Sequence, residues 1–68
     1  MFDFSEHLRN LRLSKNLTQK QLADKLEISQ SAIAKWELSK TEPTAGALLT
    51  LAKFFDVTVG QLLGTEEL

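Results

Sequence analysis

From Gln19 to Lys40 the chain reads QKQLADKLEISQSAIAKWELSK. Two helix starts can be read here. Thr18 stands before the first, with Gln21 three residues on, the spacing of a capping box, and Leu17 ahead of the cap can close onto Leu22. Leu22, Ala23 and Leu26 then fall on one helical stripe. Ser29 opens the second helix, with Ile28 before the cap and Ile33 at the matching staple position. Ile33 and Trp36 share a face. The spacing predicts helices over 19–26 and 30–37, joined only by Glu27-Ile28-Ser29. Such a connection is too short for an antiparallel pair to lie flat, so the second helix crosses the first at a large angle. Ala23 is small enough for the crossing point, and Ile28, Ile33 and Trp36 fill the angle from inside.

The outer face of the second helix differs in chemistry. Gln30, Ser31, Ala34 and Lys35 are amide, hydroxyl, small and basic. A glutamine can bind adenine bidentately through N6 and N7, a lysine can reach guanine O6 and N7, and a serine can donate or accept. Small side chains at Ala32 and Ala34 let such a helix sit deep in a major groove. The helix N-termini offer backbone N–H groups to phosphate, and Thr18 and Gln19 stand at one of them. Ser39, Lys40 and Thr41 follow the second helix and can hold another phosphate. The alternative for Gln30, Ser31 and Lys35 is plain solvated helix surface; the wedged architecture around them favours a reading face. Trp36 belongs to the core with Leu22, Ala23 and Ile33.

Working outward, Asp3 with Glu6 suggests a cap for a helix over about 4–15. Phe4, Leu8 and Leu11 lie on its inner face, and Lys15-Asn16 closes it, since asparagine tolerates the left-handed conformation. Residues 38–43 read as a loop, because Pro43 restricts Glu42 and stops helical continuation. Thr44 starts a helix over 45–55 that buries Leu48, Leu51, Ala52 and Phe55. Thr58 and Gln61 form a further capping box for a short helix over 59–63, with Val57 stapled to Leu62 and Gly64 ending it. The expected class is all-α: five short helices in a single domain spanning 1–68.

Sixty-eight residues that are 43% hydrophobic support one small core, and a chain this short leaves little room for a deep catalytic cavity. There is no cysteine and one histidine, His7, so disulfides, thiolate chemistry and cysteine-based zinc sites are excluded. His7 is expected on a helix surface. No nucleophile–base pair, phosphate loop or metal spacing is present, so the chain is not expected to be an enzyme or to need a cofactor or metal. No apolar run approaches about 18 residues, and no leader pattern opens the chain. The expectation is a soluble cytoplasmic protein with no membrane partner and no small-molecule effector. Net charge is −1, but it is polarised. Residues 9–40 hold seven bases (Arg9, Arg12, Lys15, Lys20, Lys25, Lys35, Lys40) against three acids, a net +4. Residues 41–68 hold Lys53 against four acids, a net −3. One half can face phosphates while the other stays acidic. Lys20, Lys25 and Lys53 are assigned to general solubility.

The pattern LxxLR…LTQxxLAxxLxxSQSxIxxWExxKxxPxxxxLxxLAxxFxVxxxxLL, running from Leu8 to beyond Leu62, resembles the phage-repressor and Cro-like helix-turn-helix family. The resemblance covers residues in all five expected helices in order. It implies a lambda-repressor-like fold, double-stranded DNA as the partner, and helix three in the major groove. Carried over position by position, it implies base contacts at Gln30, Ser31 and Lys35, and phosphate contacts at Gln19 and around Ser39 to Thr41. It further implies a partly buried ion pair between Arg12 and Glu37, with Arg12 near the DNA backbone. Three places depart from the family pattern. Glu27 stands where glycine is usual, Leu38-Ser39 replaces a polar residue plus glycine, and Ala45-Gly46 replaces larger helix formers, which predicts fraying at the start of helix four.

The leading expectation is a sequence-specific transcriptional regulator, a repressor, working as a homodimer on two half-sites. Phe54 and Phe55 are adjacent and cannot both point inward, so Phe54, Val59 and Leu63 form the expected dimer contact. The competing reading is a protein-interaction module, an antitoxin or adaptor on the same fold, whose acidic half grips a partner.

Overall fold

Capping chemistry sets where these helices begin. The computed structural model describes residues 4–67, in which the elements are α1 (Phe4–Ser14), α2 (Gln19–Leu26), α3 (Gln30–Glu37), α4 (Ala45–Phe55) and α5 (Val59–Leu63). Thr18 and Thr58 each complete a capping box: the hydroxyl accepts from the backbone N–H of Gln21 or Gln61, and the glutamine side chain returns a bond to the cap N–H. Ser29 and Thr44 accept from Ala32 and Ala47 N–H, both at 3.1 Å. The Thr44 cap lies directly before Ala45 and Gly46, and α4 is helical from Ala45 despite the weak helix preference of Gly46, so the expected fraying is not seen. Asp3, the expected cap of α1, lies outside the described residues.

Each of the first four helices is stopped by a non-glycine residue in the left-handed region: Asn16 (φ 56), Glu27 (φ 57), Ser39 (φ 59) and Asp56 (φ 56). Gly64 (φ 87) stops the fifth. α1 therefore ends one residue before Lys15. At three of these corners the next two residues are an apolar side chain and a hydroxyl N-cap: Leu17-Thr18, Ile28-Ser29 and Val57-Thr58. The apolar N–H reaches back to the helix just ended, from Leu17 to Arg12 O (3.2 Å), Ile28 to Ala23 O (3.0 Å) and Val57 to Ala52 O (3.0 Å). One local device thus turns the chain three times.

Leu8, Leu22, Ala23, Ile33, Trp36, Leu51, Ala52, Phe55 and Leu62 form the core. α3 lies in the middle of the packing, touching α2 and α1, while α5 joins α4 to α1. Leu26 and Leu48, expected in the core, are half-buried at its edge; Leu48 lines a surface groove with Phe4, Pro43 and Leu63. His7 is not a surface residue either. It is half-buried beside Gly64 to Glu67, with Nδ1 enclosed and without a hydrogen-bond partner among the described residues. No helix among the described residues is long and apolar enough to cross a membrane.

Candidate nucleic-acid interface

The wedge of α2 and α3 determines what α3 can present. Ala23 is 1% exposed and Ile33 is fully enclosed, so the small residue and the branched one occupy the inside of the corner. Trp36 is 8% exposed and acts as a core residue. A helix pinned by Ile33, Trp36 and Glu37 on one side must turn Gln30, Ser31 and Lys35 to solvent, and all three are exposed. Ser31 and Lys35 are four residues apart, so they neighbour each other on that surface. Ala34 is half-buried beside them; its methyl is short, which keeps the ridge low between the longer side chains.

Behind the ridge lies a buried polar network. Arg12 Nε donates to Glu37 Oε2 at 2.7 Å and Nη2 donates to Glu37 Oε1 at 2.9 Å, a two-point pairing. Arg12 Nη1 donates to the carbonyl of Leu17 at 2.8 Å. Gln19 Nε2 adds a bond to Glu37 Oε1 at 3.2 Å. The hydrogen bond to Glu37 is the main cause holding the Arg12 guanidinium above its ordinary pKa; burial opposes it more weakly. The network ties α1, the start of α2 and the end of α3 together, so the angle of the ridge is fixed from three sides. It also assigns Arg12 inward. Only 9% of its surface is exposed, and each of its three nitrogens donates one hydrogen inside, so the Arg12 side chain is committed first to Glu37 and Leu17, with two N–H groups left for the expected phosphate contact.

The other expected phosphate contacts lie at two places around α3. Thr18 is exposed, with its hydroxyl and N–H engaged in the capping box, and Gln19 is half-buried with one amide hydrogen on Glu37. Ser39, Lys40 and Thr41 are all exposed on the α3–α4 loop. The reach of α1 to this loop is not obvious in the sequence. Ser5 Oγ donates to Trp36 O at 2.6 Å and lies 2.6 Å from Ser39 Oγ. Its one available signal is register: Ser5, Leu8 and Arg12 fall on a single helical stripe, so a residue on that stripe meets what Leu8 and Arg12 meet. Lys20 is paired with Asp24 at 3.2 Å on the open surface of α2. Phe54, by contrast, is not a bare apolar surface. It is half-buried, with its ring edge-on to Phe55 at 5.0 Å and the Lys15 ammonium 6.0 Å from its centre. Among the described residues the exposed large apolar ones are Leu13, Leu38 and Leu49.

The helix-turn-helix family model matches residues 8–62, which spans the wedge, its buried network and α4–α5. The chain belongs to the helix-turn-helix family. It is a DNA-binding domain of transcription regulation on the all-α, lambda-repressor-like fold. The chain is 50% identical over 66 residues to the HTH-type transcriptional activator BcrR of Enterococcus faecalis, covering 97% of the chain and 32% of the activator. It is 40% identical over 63 residues to the HTH-type transcriptional regulator YqaE of Bacillus subtilis, covering 93% of the chain and 54% of that protein. It is 39% identical over 62 residues to the HTH-type transcriptional regulator AnsR of the same organism, covering 91% and 53%. The chain spans about a third of the first relative and about half of the other two. Its departures from the family's usual glycines have a structural outcome: Glu27 and Ser39 both adopt the left-handed conformation themselves.

Proposed function

We propose that residues 1–68 act as one domain that binds double-stranded DNA with α3 in the major groove, reading bases through Gln30, Ser31 and Lys35, with Ala34 allowing close approach. The start of α2 at Thr18-Gln19 and the α3–α4 loop, through Lys40 and Thr41, face phosphates on either side. The observation that supports this most is the exposed amide, hydroxyl and ammonium stripe on a helix whose opposite face is locked into the core by Ile33, Trp36 and Glu37. Two copies on adjacent half-sites, joined through Phe54, Val59 and Leu63, make a symmetric homodimer, which compensates for the few base pairs one module covers. The chain is a binding domain rather than an enzyme, and it works in the cytoplasm. It represses where its site overlaps a promoter and activates where the site leaves the promoter open; a relative named as an activator is compatible with either arrangement.

The test is selection of bound sites from random duplexes, followed by footprinting and a salt titration. A palindromic site and a steep loss of affinity with rising salt are expected, because phosphate contacts release counterions. Indifference to every duplex at low ionic strength would reject the proposal in favour of a protein-binding antitoxin or adaptor.

A further inference from the structure

A serine hydroxyl carries one proton and two lone pairs. Ser5 Oγ lies 2.6 Å from the Trp36 carbonyl oxygen, which can only accept, so the Ser5 proton is committed there. The 2.6 Å contact between Ser5 Oγ and Ser39 Oγ must then run the other way, with Ser39 donating. Ser39 therefore turns its proton inward and leaves lone pairs facing solvent. A phosphate oxygen is itself an acceptor, and lone pairs facing it repel. Resting on the DNA-binding reading above, we infer that Ser39 is a positioning residue and not a phosphate ligand: the relay Ser39 to Ser5 to Trp36 O anchors the α3–α4 loop to α1, and Lys40 and Thr41 are the groups that loop delivers to the DNA backbone.

The backbone makes the relay necessary. Ser39 has φ 59, a conformation that disfavours a residue with a Cβ. Its N–H bonds Trp36 O at 3.2 Å, and the next N–H, of Lys40, bonds Lys35 O at 2.9 Å. Trp36 O is thus shared by Ser39 N–H and the Ser5 hydroxyl. The carbonyl at the end of α3, the strained residue and α1 meet at one point, and the direction in which Lys40 leaves α3 depends on it.

Binding of a selected operator by S39G, S5A and K40A decides the matter. Glycine takes φ 59 without strain but drops the Ser39 link of the relay, so S39G is expected to weaken binding less than S5A, by no more than about threefold, and equally for every operator variant. S5A removes the anchor and is expected to weaken binding roughly threefold to tenfold, the effect of one ordinary hydrogen bond. That loss should be the same for every operator variant, with the salt slope unchanged. In the S39G background S5A should cost less. K40A should weaken binding and flatten the salt slope by about one counterion. If S39G instead lost tenfold or more, or if the S39G and S5A losses simply added, Ser39 would act on the DNA independently of the relay, as a phosphate donor, and the inference would fail alone. Should S5A prove unfolded in a thermal melt, the size of the S39G loss still decides. Failure of the wild-type chain to bind DNA would remove the proposed function and this inference together.

Discussion

The corner between α2 and α3 and the corner between α4 and α5 are built alike and used differently. Glu27 (φ 57, ψ 40) and Asp56 (φ 56, ψ 47) have the same backbone. Each follows a helix with a buried alanine, Ala23 or Ala52, whose carbonyl accepts the N–H of the branched residue after the corner. Each precedes a hydroxyl cap. Yet α3 leaves its corner with exposed Gln30, Ser31 and Lys35, whereas α5 leaves with half-buried Val59 and Leu63. The turn is therefore a means of placing a helix, and the proposed DNA recognition resides in the side chains that follow it. A second difference is what stands behind each corner: α3 is braced by Arg12, Glu37 and Gln19, while Leu51, Phe55 and Leu62 behind α5 are apolar.

The bracing gives the largest expected effect. Glu37→Ala leaves the buried Arg12 guanidinium without its carboxylate, with only the Leu17 carbonyl as a partner, a change that typically costs about 3–5 kcal/mol. Chemical denaturation should show a loss of that size, enough to unfold much of a domain this small. Glu37→Gln keeps an acceptor and should cost less. A loss below about 1 kcal/mol for Glu37→Ala would mean that the two corners are equally self-sufficient. On the reading face, Lys35→Ala should cost about 1–3 kcal/mol of binding at one base position and relax preference there, with the melting temperature unchanged. Loss spread evenly over all sequences would make Lys35 a phosphate contact instead. On the α5 side, Phe54→Lys should raise the dimer dissociation constant about tenfold, the mark of an interface residue worth more than about 1 kcal/mol. Sedimentation checks it, and unchanged dimerisation would move the contact elsewhere. Leu49 is the first alternative, since it is 55% exposed on the same helix.

Much of this architecture could be read from the sequence because its signals are local. A hydroxyl cap, a glutamine three residues later and an apolar staple declare a helix start within six positions, and α2 to α5 begin and end where those signals put them. The core stripe of α3 follows from period alone. What the sequence hid depends on residues far apart. Ser5 meets Trp36 and Ser39 across 31 and 34 positions, and no local rule pairs them. Arg12 was expected to serve both Glu37 and DNA, but the number of its donors turned inward can be known only once Leu17 O and Glu37 are in place. Phe54 looked exposed because Phe55 had the core; Lys15, in the turn after α1, places its ammonium over the ring. The left-handed residues divide the same way. Asn16 was visible by its chemistry and Glu27 and Ser39 by the resemblance, which has glycine at both, while Asp56 was read simply as a helix end.

The smallest effect separates the two corners most cleanly. Glu27 and Asp56 have nearly identical dihedrals, so any difference between Glu27→Gly and Asp56→Gly measures the side chain and not the turn. A left-handed residue with a Cβ is strained by about 1 kcal/mol, and glycine removes that strain at some entropic cost in the unfolded chain. Aspartate relieves part of the strain by local hydrogen bonding to the backbone, which glutamate, one methylene longer, does less well. Glu27→Gly should therefore stabilise by up to about 1 kcal/mol and Asp56→Gly by less, or not at all. Neither should alter operator preference, because neither residue lies on the outer face of α3. If Glu27→Gly raised stability but loosened base discrimination, the corner itself would be tuning the angle at which Gln30, Ser31 and Lys35 enter the groove. The strain at Glu27 would then serve recognition, and the two corners would differ in backbone function after all.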